Sequence, residues 1–347
     1  PEDPTTWQAF ARIERDTIPN ARRSVFTTRG AARLYGERFP DFADRLTVIE
    51  NGFDEESYAS VRPDPTPLVP GRVTLLHSGI IYPVERDPSA LFEALARLSA
   101  NGVVSPETFR IRFRASSHDA HIQRLADHYA VGGLIEYAPP IPYRDALAEM
   151  MRADGLLVMQ ANNCNEQIPA KVYEYIRAGQ PILGLTDPAG DTADLLERAG
   201  VKHVAALENV EAMTDTLARF LQDLAAGRIP KQDAVSAGQF SRLARTRALA
   251  DLLEAALHDH REVIEGQVLL ALEVEELAGR LLELVQHPPA LAGELDAHGR
   301  VQLDEERLDR ARRAGGELAQ PAVELDRDRL LAEDDAVAVA RRARAGD

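Results

Sequence analysis

The chain has 347 residues, and its 40 Lys and Arg against 56 Asp and Glu give a formal net charge of −16. This acid excess leaves no general basic field for nucleic acid or anionic lipid, so any phosphate-binding site must be local. The single cysteine, Cys164, excludes an intramolecular disulfide framework and a cluster of cysteine metal ligands. No apolar run approaches the roughly 20 residues that cross a bilayer and no signal peptide is visible, so we expect a cytoplasmic protein without a transmembrane segment.

Short apolar runs alternate with amphipathic helical patterns through the middle of the chain. The spacing of the apolar residues predicts strands at 73–77, 109–114, 134–137, 155–160, 181–185 and 201–205. The predicted helices between them are 88–100, 118–130, 143–153, 169–178 and 191–199. Because parallel neighbours require crossover connections, the alternation predicts an α/β fold, a Rossmann-like doubly wound parallel sheet with helices on both faces.

Two changes in composition bound this region and predict three segments: 1–66, 67–257 and 258–347. Residues 62–70 are rich in proline, which is typical of a linker because proline cannot continue a helix or pair in a central strand. Residues 258–347 contain no aromatic residue and carry 12 Arg against 21 Asp and Glu. Such an acidic segment has little with which to build a core, so we predict a helical or disordered tail; a helical interaction arm and an off-frame reading of GC-rich DNA are the alternatives.

The loop after the first predicted strand of this sheet is a candidate ligand site, because ligands of doubly wound sheets bind at the carboxyl ends of the strands. Residues 77–88 read HSGIIYPVERDP. Gly79 would let the backbone approach a ligand closely, and Arg86 is suited to a bidentate phosphate contact. A structural turn glycine and a surface pair of Arg86 with Asp87 are the alternative interpretations.

A second candidate lies in residues 162–185, which read NNCNEQIPAKVYEYIRAGQPILGL. Pro169 suits the first position of a helix and Gly179 suits its end, so a short helix is predicted with its amino end at the ligand-binding edge of the sheet. Free backbone amides and the helix dipole would form a cradle for a pyrophosphate there, and Lys171 would add a full positive charge. The amides concerned belong to Ile168, Ala170 and Lys171.

Two carboxylates flank that cradle, with Glu166 before the predicted helix and Glu174 eight positions further on, inside it. A carboxylate is a good acceptor for the paired hydroxyls of a sugar or a ribose. We therefore expect one of them to face a sugar and the other to hold a ribose.

These residues carry a resemblance to a known family. Glu166 and Glu174 with seven residues between them, followed by Tyr175 and the Gly179-x-Pro181 pattern, resemble the E-x7-E segment of retaining glycosyltransferases with the GT-B fold, in particular glycosyltransferase family 4. Residues 48–54 (VIENGFD) resemble the IPNGVD signature that leads into the donor domain of that family. Residues 138–143 (APPIPY) resemble the loop near its nucleobase, and residues 153–158 (ADGLLV) its ADVLL strand. The similarity covers roughly residues 24–257.

The resemblance implies a carboxy-terminal nucleotide-sugar domain and a transfer that retains the anomeric configuration, without an essential metal or other cofactor. It implies catalytic roles for three residues. Glu166 would contact the transferred sugar. Lys171 and Arg86 would stabilise the growing negative charge of the departing diphosphate, because they are cations aimed at it. The nucleotide would be bound by Gly79, Ile168, Ala170, Glu174, Pro140 and Tyr143. The sequence departs from the family at Ile80, where Arg is frequent, and at 167–169, where a Gly usually occurs.

The resemblance also assigns the ends of this region. Residues 24–28 and 30–39 look like the last strand and helix of a GT-B amino-terminal domain, and residues 240–257 like the terminal helix that crosses back to it. Because about 60 residues precede the linker and the chain begins at Pro1, we expect 1–66 to be a remnant of the acceptor domain in a piece of a longer protein. The expected partners are a nucleotide-sugar donor and a glycan or lipid-linked acceptor, with a peripheral membrane contact only through the missing domain.

Two other functions are compatible with the same architecture: a sugar-nucleotide epimerase and a nucleotide-binding fragment without turnover. The E-x7-E helix favours transfer over epimerisation. Cys164 is interpreted as a neutral loop thiol because no base is evident beside it, and His118 with His121 as surface residues rather than metal ligands. For Tyr143, stacking on a base and packing in the core are both open interpretations.

Overall fold

The computed structural model describes residues 3–62, 64–231 and 234–261. The chain divides into two compact units. The larger holds residues 21–256, and the smaller holds residues 1–20 and those from 257 onward. In the smaller unit the described residues form helix α1 (Pro4–Thr17) and the end of helix α11 (Arg242–Arg261). The predicted acidic tail lies outside the described residues from 262 onward, and the predicted boundaries at 66 and 257 stay predictions.

A small parallel pair of strands opens the larger unit. Strand β1 (Ser24–Phe26) pairs with strand β2 (Leu46–Val48), and helix α2 (Arg29–Arg38) connects them, as the sequence predicted for 24–28 and 30–39. Helix α3 (Glu55–Ala59) follows. Its N-cap, Asp54, accepts hydrogen bonds from the amides of Glu56 and Ser57.

Six parallel strands form the main sheet. They are β3 (Val73–Ser78), β4 (Phe109–Arg114), β5 (Ile135–Ala138), β6 (Gly155–Met159), β7 (Ile182–Leu185) and β8 (Val204–Ala205). Their spatial order is β5-β4-β3-β6-β7-β8, and every pairing is parallel. The chain thus winds outward from β3 in one direction and, after returning to β6, in the other, which is the doubly wound Rossmann order. The predicted fold class is confirmed.

Helices cover both faces of this sheet. They are α4 (Ser89–Ala100), α5 (Asp119–His128), α6 (Tyr143–Arg152), α7 (Lys171–Ala178), α8 (Asp191–Arg198), α9 (Val210–Ala225) and α10 (Ala234–Ala237), with α11 after them. Successive residues of a strand point to opposite faces, so Leu75 joins a core with α4, α5 and α9, whereas Leu76 joins one with α6, α7 and α8. Among the described residues, no helix has the length and apolar character needed to span a bilayer.

Several elements differ from the sequence prediction, most of them by one or two residues at an end. Helix α9 was not predicted, although Met213, Leu217 and Phe220 are buried at helical spacing along it. Strand β8 lacks residues 201–203, because the amide of Val201 donates to the Leu196 carbonyl and completes the end of α8. Helix α7 begins at Lys171 rather than two residues earlier.

The segment over residues 48–54 is tied to the beginning of α11. The amide of Phe53 donates to the Phe240 carbonyl at 3.2 Å, and the amide of Arg242 donates back to the Phe53 carbonyl at 2.8 Å. The Glu50 carboxylate forms two ion pairs, from Oε2 to Arg245 Nη2 at 2.8 Å and from Oε1 to Arg198 Nη2 at 2.6 Å. The predicted terminal helix is therefore present and is held against the segment that leads towards the main sheet.

Candidate functional site

The strand order defines a crevice at the carboxyl ends of β3 and β6. These two strands are neighbours, but the chain leaves β3 towards β4 and leaves β6 towards β7. Crevices of this kind are the usual ligand sites of doubly wound sheets, because the loops on either side diverge and leave an opening. Both loops selected from the sequence, after β3 and between β6 and α7, lie here.

Gly79 and Lys171 are brought into direct contact at this edge. Gly79 has a φ of 129° and donates its amide to the Arg114 carbonyl at 2.8 Å. A Cβ atom at this position would overlap Lys171 Nζ and Cε. Only glycine combines this backbone conformation with the room that the lysine needs, and the close approach of Gly79 to a ligand stays a prediction.

Lys171 and Arg86 line the same small pocket, together with His77, Pro169, Val172 and Tyr175. Arg86 Nη1 donates to the Ile80 carbonyl at 2.7 Å, and its guanidinium lies 5.1 Å from the centre of the Tyr82 ring. Burial and the nearby charge of Arg86 lower the pKa of the Lys171 ammonium, although Glu174 acts in the opposite direction. Two like charges held together in a partly buried pocket favour the binding of an anion between them.

Backbone amides at the start of α7 add to that preference. The carbonyl of Pro169 accepts from the amide of Val172 at 2.9 Å, so Pro169 belongs to a turn that precedes the helix. The amides of Ile168, Ala170 and Lys171 donate to no acceptor within the described residues. Anion binding by these amides stays a prediction, and the helix itself begins later than expected.

Tyr175 anchors the end of β3, directly before the loop that contains Gly79. Its buried hydroxyl accepts the amide of Ser78 at 2.8 Å, at the last residue of β3. Burial raises the pKa of the Tyr175 hydroxyl, so this group is a neutral anchor. It fixes the strand end immediately before Gly79.

His77 is a member of this pocket that the sequence analysis did not select. Its side chain is 3% exposed, and Nδ1 lies 2.9 Å from the Leu157 carbonyl. Because a carbonyl only accepts, Nδ1 carries the hydrogen and Nε2 is an acceptor; within the described residues Nε2 has no hydrogen-bond partner. Burial, Arg86 and Lys171 lower the pKa of His77 to about 3. A lone histidine in a predicted buried strand was the only available signal.

Glu174 and Tyr143 meet further along the crevice. The Tyr143 hydroxyl donates to Glu174 Oε1 at 2.9 Å, and the Tyr58 hydroxyl donates to the Glu174 carbonyl at 2.8 Å. Tyr143 is 47% exposed, so the interpretation that it packs in the core is wrong. Burial of the remainder of its ring and the neighbouring carboxylate raise the pKa of the Tyr143 hydroxyl.

The exposed loop that contains Pro140 is fixed through its neighbour. Arg114 Nη1 donates to the Pro139 carbonyl at 2.5 Å, and Arg114 Nε donates to Glu149 Oε2 at 2.8 Å. Burial alone would raise the pKa of Glu149, but hydrogen bonds from Arg114 and Arg112 outweigh it and hold the pKa below its usual range. A buried ion-pair network thus positions the loop ahead of Tyr143.

Glu166 lies in the turn between β6 and α7, beside the beginning of α2. Its carbonyl accepts from Thr28 Oγ1 at 2.5 Å. A Cβ atom on Gly30 would lie 2.8 Å from Glu166 Cγ, and the Gly30 amide donates to Asp191 Oδ2 at 2.7 Å. The contact joins residues 138 positions apart, so no local pattern indicated it.

Two further kinds of side chain were considered in the sequence, metal ligands and the single thiol. Within the described part of the chain, no three His, Cys, Asp or Glu side chains are grouped as a metal site. Cys164 is buried in the same turn as Glu166. His258 and His260 lie two positions apart in the sequence, a spacing that favours solvated residues over a pair of metal ligands, and their side chains lie outside the described residues.

The chain is similar in structure to solved glycosyltransferases. A glycosyltransferase from Rickettsia africae superposes with a TM-score of 0.54 at 14% identity, over 74% of this chain and 68% of that one. A sucrose-phosphate synthase from Thermosynechococcus elongatus gives 0.56 at 15% identity, over 74% and 63%. HepE from Anabaena, in complex with UDP and glucose, gives 0.53 at 13% identity, over 72% and 67%.

The chain therefore shares the Rossmann-like α/β fold of these glycosyltransferases, with the parallel sheet described above. The alignments span about two thirds of the length of each of the three solved chains. No protein-family model matches the sequence, and no curated protein matches it.

Proposed function

We propose that this chain is the donor-binding part of a retaining glycosyltransferase of the family 4 type, acting in the cytoplasm in the synthesis of a polysaccharide or glycolipid. The proposal depends chiefly on the pocket where Lys171 lies against Gly79 with Arg86 beside it. Glu174 lies three residues after Lys171 on α7, a rise of about 4.5 Å and just under one helical turn, which suits the separation of a diphosphate from its ribose. Structural similarity to HepE, solved with UDP and glucose, favours a uridine nucleotide as donor.

The proposed reaction exchanges one bond at the anomeric carbon. The acceptor hydroxyl oxygen forms the new glycosidic bond while the bond from that carbon to the diphosphate oxygen breaks. The hydroxyl proton passes to the departing diphosphate, on the same face of the sugar, so the configuration is retained. Glu166 contacts the sugar, and Glu174 holds the ribose hydroxyls together with Tyr143.

Charge stabilisation in this proposal comes from the protein itself. The departing diphosphate gains negative charge, and Lys171, Arg86 and the amides of Ile168 and Ala170 are oriented before the reaction begins. Such preorganised donors are worth several kcal/mol in a site that excludes water, on the order of 3 for one donor. Metal-independent transfer is therefore proposed.

The acceptor in this proposal is a glycan or a lipid-linked glycan. It would be bound mainly by residues of an amino-terminal domain. Contact with a membrane surface, if the acceptor is lipid-linked, would also be made by that domain.

A thermal-shift screen of the purified chain with UDP, GDP, ADP and their sugars tests the donor assignment. We expect one nucleotide and its sugar to raise the melting temperature, and Glu174→Ala to abolish the rise. Failure of all of them to stabilise the wild-type chain would contradict the proposal. Appearance of an isomeric nucleotide-sugar without an acceptor would indicate epimerisation instead.

A further inference from the structure

In the turn that carries Glu166, the backbone carbonyls of consecutive residues accept hydrogen bonds from neighbouring parts of the structure. Gln160 Nε2 donates to the Cys164 carbonyl at 2.8 Å and to the Gln167 carbonyl at 3.0 Å. The amide of Asp191 donates to the Asn165 carbonyl at 2.8 Å. Gln160 follows directly after β6, and Asp191 is the first residue of α8. In the run from Cys164 to Gln167, the carbonyl of Glu166 is the one that these two donors do not reach.

Thr28 supplies that remaining contact from outside the main sheet. Its Oγ1 donates to the Glu166 carbonyl at 2.5 Å and accepts from the Ala31 amide at 3.1 Å, as the N-cap of α2. The Thr28 side chain is 3% exposed, so water does not compete for either bond. A single hydroxyl therefore joins the start of α2 to the turn that presents Glu166.

Gly30 makes the same approach possible. Its amide is directed at Asp191 Oδ2, and a side chain here would meet that oxygen at 2.5 Å and Glu166 Cγ at 2.8 Å. The start of α2 thus contacts both the backbone and the side chain of Glu166. Neither residue belongs to the cation pocket or to the contacts of Glu174.

We propose that Thr28 is a positioning residue for Glu166: its hydroxyl, with Gly30 giving the necessary clearance, fixes the carboxylate at the sugar of the bound donor. The proposal rests on the proposed function. It assigns the segment around α2 a role in recognising the sugar of the donor but none in binding its nucleotide. The two contributions are therefore separable by measurement.

The test compares the affinities of UDP and UDP-glucose by titration calorimetry on the full chain. In the wild type, UDP-glucose should bind more tightly than UDP because Glu166 adds contacts to the sugar. Thr28→Val should weaken UDP-glucose about fivefold or more and leave UDP within twofold. Thr28→Ser, which keeps the hydroxyl, should restore the wild-type values.

Two further variants separate positioning from general destabilisation. Asn209→Ala removes the N-cap of α9, a matched capping contact that the structure places on another helix, and should change neither affinity. Gly30→Ala should reproduce the effect of Thr28→Val without deleting a cap. Hydrogen exchange should be faster in the peptide over residues 164–168 of both Thr28→Val and Gly30→Ala.

The possible results separate the role of Thr28 from the proposed function. Equal weakening of UDP and UDP-glucose, or no weakening of either, would overturn the role of Thr28 and leave the donor site standing. Absence of binding by the wild type to any nucleotide would contradict the proposed function, and the role of Thr28 with it. If Thr28→Val does not fold, Gly30→Ala and the hydrogen-exchange comparison decide the matter alone.

Discussion

Lys171 Nζ occupies the space that a side chain at Gly79 would need. Gly79 lies in the loop after β3, and Lys171 is the first residue of α7. Their contact exists because the strand order makes β3 and β6 neighbours. The contact brings the turn after β3 and the start of α7 together into one cationic surface.

Gly79→Ala should therefore weaken nucleotide binding by at least tenfold, since the methyl group displaces Lys171 and strains the backbone. Gly102→Ala is the matched control: this glycine also has a positive φ, of 69°, but a Cβ atom added there would have no neighbour within 4 Å. It should cost about 1 kcal/mol of stability and leave the affinity unchanged. Calorimetric titration with UDP measures both, and equal affinities in the two variants would refute the contact.

Nucleotide affinity should depend on the charge of Lys171. Burial lowers its pKa, and the ammonium that binds the diphosphate is lost as pH rises through that lowered value. We expect UDP affinity to fall between neutral pH and the ordinary lysine range, and Lys171→Met to remove this dependence together with most of the binding. Lys202→Met, at an exposed lysine, should keep the wild-type profile. A wild-type profile in Lys171→Met would exclude this lysine as its source.

Tyr143 and Glu174 should act as a pair in ribose binding. The hydroxyl donates to the carboxylate at 2.9 Å, so Tyr143→Phe frees Glu174 to reorient. We expect Glu174→Gln to weaken UDP about tenfold and Tyr143→Phe about threefold. In the double variant the losses should combine to less than their product, because each single change disturbs the same contact. Independent, multiplicative losses would show that the two side chains bind separately.

His77 should make the fold sensitive to acid. Its pKa is lowered to about 3 in the folded chain by burial, Arg86 and Lys171, whereas an unfolded histidine protonates near 6.5. The unfolded state therefore binds more protons between these values, and the free energy of unfolding falls as pH drops through this window, by on the order of 3 kcal/mol near pH 4.

Urea unfolding at pH 7 and pH 4 measures that contribution. His77→Gln should lose less stability than the wild type between the two pH values, whatever its stability at pH 7. His128→Gln, at an exposed histidine of α5, should behave as the wild type. If His77→Gln loses as much free energy of unfolding as the wild type between pH 7 and pH 4, His77 is not the cause.

Periodicity predicted the fold because each strand of the sheet is a short apolar run followed by an amphipathic helix. The loops that carry Gly79, Arg86 and Lys171 were found for the same reason, since topology alone directs them to one edge. Helix α9 was missed although its apolar residues have helical spacing, because among the described residues no further strand follows it to mark another strand–helix unit.

Contacts between distant residues could not be obtained in this way. The bond from Thr28 to Glu166 and the acceptor nitrogen of His77 depend on tertiary packing, and neither has a local sequence signal. The exposure of Tyr143 is similar: position in a helical pattern predicted a helix start but not which way the ring would face.

A crystal structure of this chain with UDP tests the central claim most directly. We predict that the diphosphate lies between Gly79 and the amides of Ile168 and Ala170. Lys171 Nζ and the Arg86 guanidinium should contact its oxygens. The ribose hydroxyls should lie on Glu174, and the base beside Tyr143 and Pro140. A nucleotide bound elsewhere on the chain, or with its diphosphate away from Lys171, would contradict it.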